Sequence, residues 1–288
     1  MDADSTSPTD AASTPSTDAI RQTRQRIRRS GSVAAVVVVC IGVLLATTAT
    51  VTVTDATVWT AVTILVAAGV WAHTHRHAAE NESVAATDST RYASLGVPTA
   101  VTLARGTVVA AVGGLGAVAA TGAVGEMWAW AATIGYGVVA ALDWVDGALA
   151  RRLGRVTALG SRLDTTVDAL GLLVAPLAGV LLGQLPWWYL SVGIARYAFV
   201  AGVWWRTRTG RPTYDLPPRA SRRVLAGIQM AFVPLALAPG VGDPWIPALA
   251  GGAAGSLLLG FVRDWLYVSG RLTPESVAGP SPSSKSEE

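Results

Sequence analysis

Apolar residues along this chain gather into long, nearly uncharged runs separated by short polar stretches. The runs fall at roughly 33–53, 56–72, 100–122, 127–142, 165–183, 187–205, 224–239 and 244–266. A helix needs about 20 such residues to cross a hydrocarbon core about 30 Å thick. Eight spans are therefore expected, with those at 56–72 and 127–142 on the short side. The fold class that follows is all-α, a polytopic transmembrane helical bundle with a six-span core and two extra N-terminal spans. The same pattern divides the chain into a polar, then basic, disordered tail (1–30), a two-span hairpin (31–76), a polar cytoplasmic connector (77–97), the six-span core (98–267) and a Pro/Ser-rich disordered C-terminal tail (268–288). The core is rich in Gly and Ala, which let helix backbones approach closely where lipid supplies no hydrophobic drive.

Composition supports the membrane reading. Hydrophobic residues make up 51% of the 288 and charged residues 14%, against about 25% in an ordinary soluble domain. The 22 Lys and Arg divide unevenly among the loops. The turns near 50–56, 122–126, 184–186 and 240–244 carry Asp55, Glu126 and Asp243 and no cation, while the opposite loops carry Arg21 to Arg29, Arg76, Arg91, Arg151 to Arg162, Arg206 to Arg223, Arg271 and Lys285. Cationic loops resist translocation, so both termini are expected in the cytoplasm of a multi-pass cell-membrane protein. The positive charge then needs no nucleic acid to explain it. All 11 tryptophans fall near proposed span ends, where interfacial anchors belong. Cys40 is the one cysteine, which excludes an intramolecular disulfide and a thiolate metal site. The polar N-terminal stretch does not have the form of a cleavable signal, so the first span is expected to stay.

The candidate chemistry lies in two acidic pairs. Asp143 and Asp146 are three residues apart and Asp164 and Asp168 four apart, so each pair shares one face of a helix. Four carboxylates brought together near a bilayer repel one another and are costly to desolvate, and a cation must balance them. Oxygen-only ligands favour Mg²⁺ or Mn²⁺, and a pair of such ions is a known clamp for phosphoryl displacement. Gly147 and Gly160 leave room for a substrate or a helix against the backbone. Arg151, Arg152, Arg155 and Arg162 alternate with Leu149, Leu153, Val156 and Leu163, the pattern of a basic segment at headgroup level.

The run Asp143-x2-Asp146-Gly147-x2-Ala150-Arg151-x8-Gly160-x3-Asp164-x3-Asp168 resembles, at every specified position, the signature of the CDP-alcohol phosphatidyltransferases, including the phosphatidylglycerophosphate and phosphatidylinositol-phosphate synthases. The resemblance implies transfer of a phosphatidyl-type group from a CDP-linked lipid to the hydroxyl of a small alcohol, with release of CMP. It implies metal ligation by Asp143, Asp146, Asp164 and Asp168, with Asp168 also the candidate general base. It further implies that Gly147, Ala150, Arg151 and Gly160 border the CDP moiety in a cytoplasmic active site, and that members form homodimers. The span opening Pro98-Thr99-Ala-Val-Thr102-Leu-Ala-Arg105 is similar to the family's first core helix, which makes Thr102 and Arg105 nucleotide or phosphate contacts. Thr99 replaces the usual Asn.

Arg196 sits within an apolar run, where a cation needs a partner or a wet cavity. Arg222 and Arg223 introduce the next run. All three are candidates for a phosphate on the acceptor, which leans the acceptor toward glycerol phosphate or inositol phosphate, with serine as the neutral alternative. Gln229 reads as a helix–helix contact, and Arg263 and Asp264 as interfacial. His73, His75 and His77 read as an interfacial cluster before a metal site. Two other readings compete. Membrane prenyltransferases use Mg²⁺ and aspartate-rich motifs, but with a second motif in a distant half of the chain. A cation transporter or scaffold would place its acids at mid-membrane depth.

Overall fold

The computed structural model describes residues 15–84, 91–122, 125–153, 156–217, 220–241 and 244–272, without the side chains of 15, 16, 147–153, 220 and 223. Among them are eight α-helices: α1 (Pro15–Ala46), α2 (Val53–Arg76), α3 (Val97–Ala120), α4 (Glu126–Leu153), α5 (Ala158–Leu181), α6 (Ser191–Arg208), α7 (Ala220–Leu237) and α8 (Ile246–Val268). The fold is all-α as expected, with two isolated β-bridges and no strand among the described residues. Five helices, α1, α2, α3, α5 and α8, are long and apolar enough to cross a membrane. The other three expected spans fall on α4, α6 and α7. Trp, Tyr and Gly residues dilute the apolar stretch of α4, Arg196, Arg206 and Arg208 interrupt α6, and the apolar part of α7 is the shorter Val224–Leu237.

Contacts divide the chain into two compact units, residues 1–114 with 141–168 and residues 115–140 with 169–288. This grouping differs from a hairpin set beside a six-span core, because the first unit joins the N-terminal helices to the segments that carry the aspartates. Small residues make that joining possible. A Cβ on Gly114 would stand 2.8 Å from the Trp59 carbonyl, so α2 and α3 pack backbone to backbone there. Trp59 completes the contact by donating its indole N–H to the Ala111 carbonyl at 3.2 Å. A Cβ on Gly106 would meet Val70 at 3.1 Å and Val167 at 3.2 Å, which brings α2, α3 and α5 together one residue from Arg105. Close approach of this kind is how helices associate in lipid.

Residues 15–30 differ from the expected disordered tail, since α1 begins at Pro15. Composition hid a helical stripe: Thr23 and Ile27 recur at helical spacing and are fully buried, while the intervening arginines point outward. The connector folds onto this stripe. Thr23 donates its hydroxyl to the Tyr92 carbonyl at 3.0 Å, and the buried Asn81 amide donates to the same carbonyl at 2.8 Å. Beyond it the backbone N–H of Val84 donates to the Val156 carbonyl and that of Ala158 to Glu82, both at 3.1 Å, so the connector holds the start of α5.

In the second unit a Cβ on Gly116 would stand 2.8 Å from the Ala178 Cα, and one on Gly193 2.7 Å from the Leu172 carbonyl, which sets α3 and α6 against α5. Gln229 is the helix–helix contact its position in an apolar run suggested. It is fully buried, donates to the Ala253 carbonyl on α8 at 2.6 Å and accepts from the Tyr189 hydroxyl. Satisfying a buried amide on both ends removes the penalty that an orphaned polar group would carry in lipid.

Candidate functional site

Three helices of the first unit converge on one cluster: α3 through Thr102 and Arg105, α4 through Asp143 and Asp146, and α5 through Asp164 and Asp168. The local sequence explains the convergence. On α4 and α5 the acids lie three and four apart and so face one side, and on α3 Thr102 and Arg105 are likewise three apart. The start of α5 is fixed by Thr157, whose hydroxyl accepts from the Gly160 N–H at 3.0 Å in N-cap fashion. Gly160 is also a contact point, because a Cβ there would sit 3.1 Å from the hydroxyls of both Thr157 and Thr99. A larger residue would push α5 away from the buried Thr99 on α3.

Arg105 is fully buried and its guanidinium lies among three carboxylates. It pairs with Asp143, with Asp164 at 2.5 Å and with Asp168 at 3.0 Å. Oxygens of these same three aspartates all lie within 4.8 Å of one another, and the three are half-buried. Asp146 stands apart from that group. One of its oxygens accepts from the Thr102 hydroxyl at 2.5 Å, and the other is buried with no hydrogen-bond partner among the described residues. Four carboxylates against one guanidinium leave the cluster strongly negative. A guanidinium alone does not neutralise it, and the donor set is all oxygen, the set that Mg²⁺ and Mn²⁺ prefer. The orphaned Asp146 oxygen and the residual charge fit a divalent cation.

The residues expected from sequence distribute as follows. The structure brings Thr102, Arg105, Asp143, Asp146, Asp164 and Asp168 together. Gly160 borders α3 at Thr99. Helix α4 runs through Gly147, Ala150 and Arg151, whose side chains lie outside the described residues, as does the side chain of Arg223. Arg196 is half-buried on α6 in the second unit. Arg222 donates to both oxygens of Asp264, at 2.8 and 3.0 Å, and to the Pro217 carbonyl at 3.1 Å. That bidentate grip is an occupation the sequence did not reveal, and it makes Asp264 a buried partner instead of an interfacial acid. His73 and His77 stack with ring centroids 4.4 Å apart.

Two structural contributions to the site were not foreseen. Helix α2 and the connector brace it: His73 Nε2 lies 3.4 Å from the Thr166 hydroxyl, between Asp164 and Asp168 in sequence, and Glu80 of the connector accepts from Arg162 at 2.6 Å. Thr99, although not the usual residue, packs directly against Gly160. An arginine one turn after a threonine was the available signal for Arg105, but its engagement with three acids from two other helices is a tertiary fact.

Among the described residues, five helices long and apolar enough to cross a membrane accompany an all-oxygen acidic cluster whose donor set fits a divalent cation. The model of the CDP-alcohol phosphatidyltransferase family matches residues 95–262, more than half of the chain, and the chain belongs to that family. Proteins named "Putative cardiolipin synthase" from Mycobacterium bovis and Mycobacterium tuberculosis are 39% identical to it over 61 residues, 21% of this chain and 29% of each relative. The match thus spans less than a third of those relatives' length. No solved structure gives a significant match.

Proposed function

We propose that this protein transfers a phosphatidyl-type group from a CDP-linked lipid to the hydroxyl of a small alcohol, releasing CMP, as a step in phospholipid synthesis. The observation that carries the reading is the convergence of Asp143, Asp164 and Asp168 within 4.8 Å, inside the segment that the family model matches. Asp143, Asp146, Asp164 and Asp168 would hold Mg²⁺ or Mn²⁺, as one ion or a pair. Bound there, the metal supplies positive charge against the pyrophosphate as its bond to CMP breaks.

The chain's own groups do the rest. Asp168 accepts the proton of the acceptor hydroxyl as its oxygen attacks the phosphorus that carries the lipid. The phosphorus–oxygen bond to CMP breaks and CMP leaves with the electron pair. Arg105, held by the same acids, keeps their carboxylates turned toward one point. Thr102 orients Asp146, and Gly147, Ala150, Arg151 and Gly160 border the CDP moiety. The loop charges support a cytoplasmic site with both termini on that side.

The acceptor is a phosphorylated polyol in this reading, with Arg196 as its phosphate contact. Arg222 is a weaker candidate because Asp264 already holds its guanidinium. The test is CMP release from CDP-diacylglycerol in reconstituted protein with Mg²⁺ or Mn²⁺, across glycerol phosphate, inositol phosphate, serine and phosphatidylglycerol. Phosphatidylglycerol belongs in the panel because the two relatives are named for cardiolipin, whose two phosphatidyl groups share one glycerol. No CMP with any acceptor would overturn the reading, and an unchanged KM for the phosphorylated acceptor in Arg196→Ala would remove Arg196 from it.

A further inference from the structure

The two N-terminal helices lie outside the segment that the family model matches, and they enclose a cleft of their own. Helices α1 and α2 run antiparallel, with Gly31 against Trp71 and Gly42 facing Thr60. Between them, and edged by Thr107 of α3, lies a cavity of about 560 Å³, within the range of about 300–1,000 Å³ typical of ligand sites. Its walls are Ala, Val, Ile and Trp side chains over most of its length. The cations sit at one end, where Arg28 of α1 meets His75 and Arg76 of α2.

At that end Arg28 and His75 also line a second cavity, together with Arg21, Arg24 and Arg29. Neither Arg28 nor Arg76 takes part in an ion pair among the described residues. The polarity therefore divides along the helix axis, cationic at the start of α1 and apolar toward Val38 and Ile64. From Arg28 to Val38, and from Arg76 to Ile64, the helices advance about 15 to 18 Å. That length is about half of a hydrocarbon core of about 30 Å, the depth of one leaflet.

An apolar slot one leaflet deep beneath a cationic cluster, in which Arg28 and Arg76 carry no ion pair among the described residues, is complementary to one class of molecule. We propose that the α1/α2 cleft binds an anionic phospholipid, with an acyl chain along Gly31, Ala35, Ala68 and Trp71 and its phosphate held by Arg28 and Arg76. Ala34, Ala35, Ala67 and Ala68 leave the width for a chain, while Gly31 seats the Trp71 ring that forms its wall. The Trp71 indole N–H, buried without a partner among the described residues, supplies a donor at the slot's wall. Arg105 and Thr107 are two residues apart on α3 and so point to different faces, Arg105 to the aspartates and Thr107 to the cleft. The lipid therefore sits on the face of α3 opposite Arg105.

The experiment uses the full chain in phosphatidylcholine nanodiscs with a phosphatidic acid carrying a photoreactive acyl chain. Phosphatidic acid has no headgroup hydroxyl and cannot act as an acceptor. Mass mapping is expected to place crosslinks in 31–38 and 64–72. Unlabelled phosphatidic acid should suppress them at least fivefold, and phosphatidylcholine should not. Arg28→Gln with Arg76→Gln, and separately the slot-filling Ala68→Phe, should each lower labelling at least fivefold.

Equal labelling by a phosphatidylcholine probe would overturn the proposal on wild-type protein alone, whatever the variants do. So would suppression by CDP-diacylglycerol with phosphatidic acid ineffective, which would make the cleft the donor's site. Efficient Cys40-to-Cys40 crosslinking that excludes the probe would show a second copy covering the cleft and would also overturn it.

Discussion

Arg105 Nη2 lies 2.5 Å from Asp164 Oδ1, and through its other contacts the same guanidinium ties α3 to Asp143 of α4 and Asp168 of α5. One buried cation thus holds three carboxylates that would otherwise push their helices apart. In the absence of metal, Arg105→Ala should destabilise the protein by about 1–2 kcal/mol. The low end is expected because Asp164 and Asp168 are partly solvated and water screens them. Thermal unfolding in detergent with EDTA reads the loss, and added Mg²⁺ should recover most of it by replacing the missing positive charge. A Tm unchanged by the substitution would show that the pairs carry no stability.

Removing the metal, or any one ligand, should stop the chemistry. EDTA is expected to abolish CMP release, and Mg²⁺ or Mn²⁺ to restore it. Asp143→Asn, Asp164→Asn and Asp168→Asn each keep the size of the side chain but lose its charge, and should lower kcat by about 10²-fold or more. A variant that kept full rate would not be a ligand or a base.

Thr102 and Asp146 form a pair whose value lies in burial. Thr102→Val keeps the shape and deletes the donor, which leaves Asp146 with both oxygens buried and unpartnered. The expected cost is about 1–3 kcal/mol in unfolding, with Thr102→Ser close to wild type. Because Asp146 loses its orientation, CMP release should fall along with stability. Equal stability of the Val and Ser variants would dismiss the hydrogen bond.

Gly160 tests whether helix approach or backbone freedom explains a glycine. Gly160→Ala should gain about 1 kcal/mol of helix propensity in isolation. The new methyl would lie 3.1 Å from two hydroxyls, of which Thr157 is committed to capping α5. Net destabilisation is therefore expected, and adding Thr99→Ala should relieve it by opening the α3 side. A stabilised single variant would mean that α3 and α5 separate freely.

Much of this protein is legible in its sequence because membranes impose simple rules. Apolar runs of fixed length give helices, and acids at i, i+3 and i, i+4 give one-sided pairs whatever surrounds them. The four aspartates and their spacing are local facts of this kind. Gln229 follows too, since an amide in an apolar run has to find a partner on another helix.

What the sequence left undecided depends on residues far apart in the chain. The start of α1 was hidden because composition averages over a stripe as narrow as Thr23 and Ile27, and only the connector's Tyr92 and Asn81 give that stripe something to pack against. Arg222 read as a contact for an acceptor phosphate, but Asp264, on another helix, already holds its guanidinium. The sequence by itself determined a helical membrane protein and the four acids of its centre, because period and spacing act within one helix. Only the tertiary structure decided that Arg105 pairs with three of those acids, that Asp146 turns to Thr102, and that α2 and the connector brace the site. Each of these depends on close approach between helices, and the glycines that permit it find their opposing surfaces only when the chain is folded.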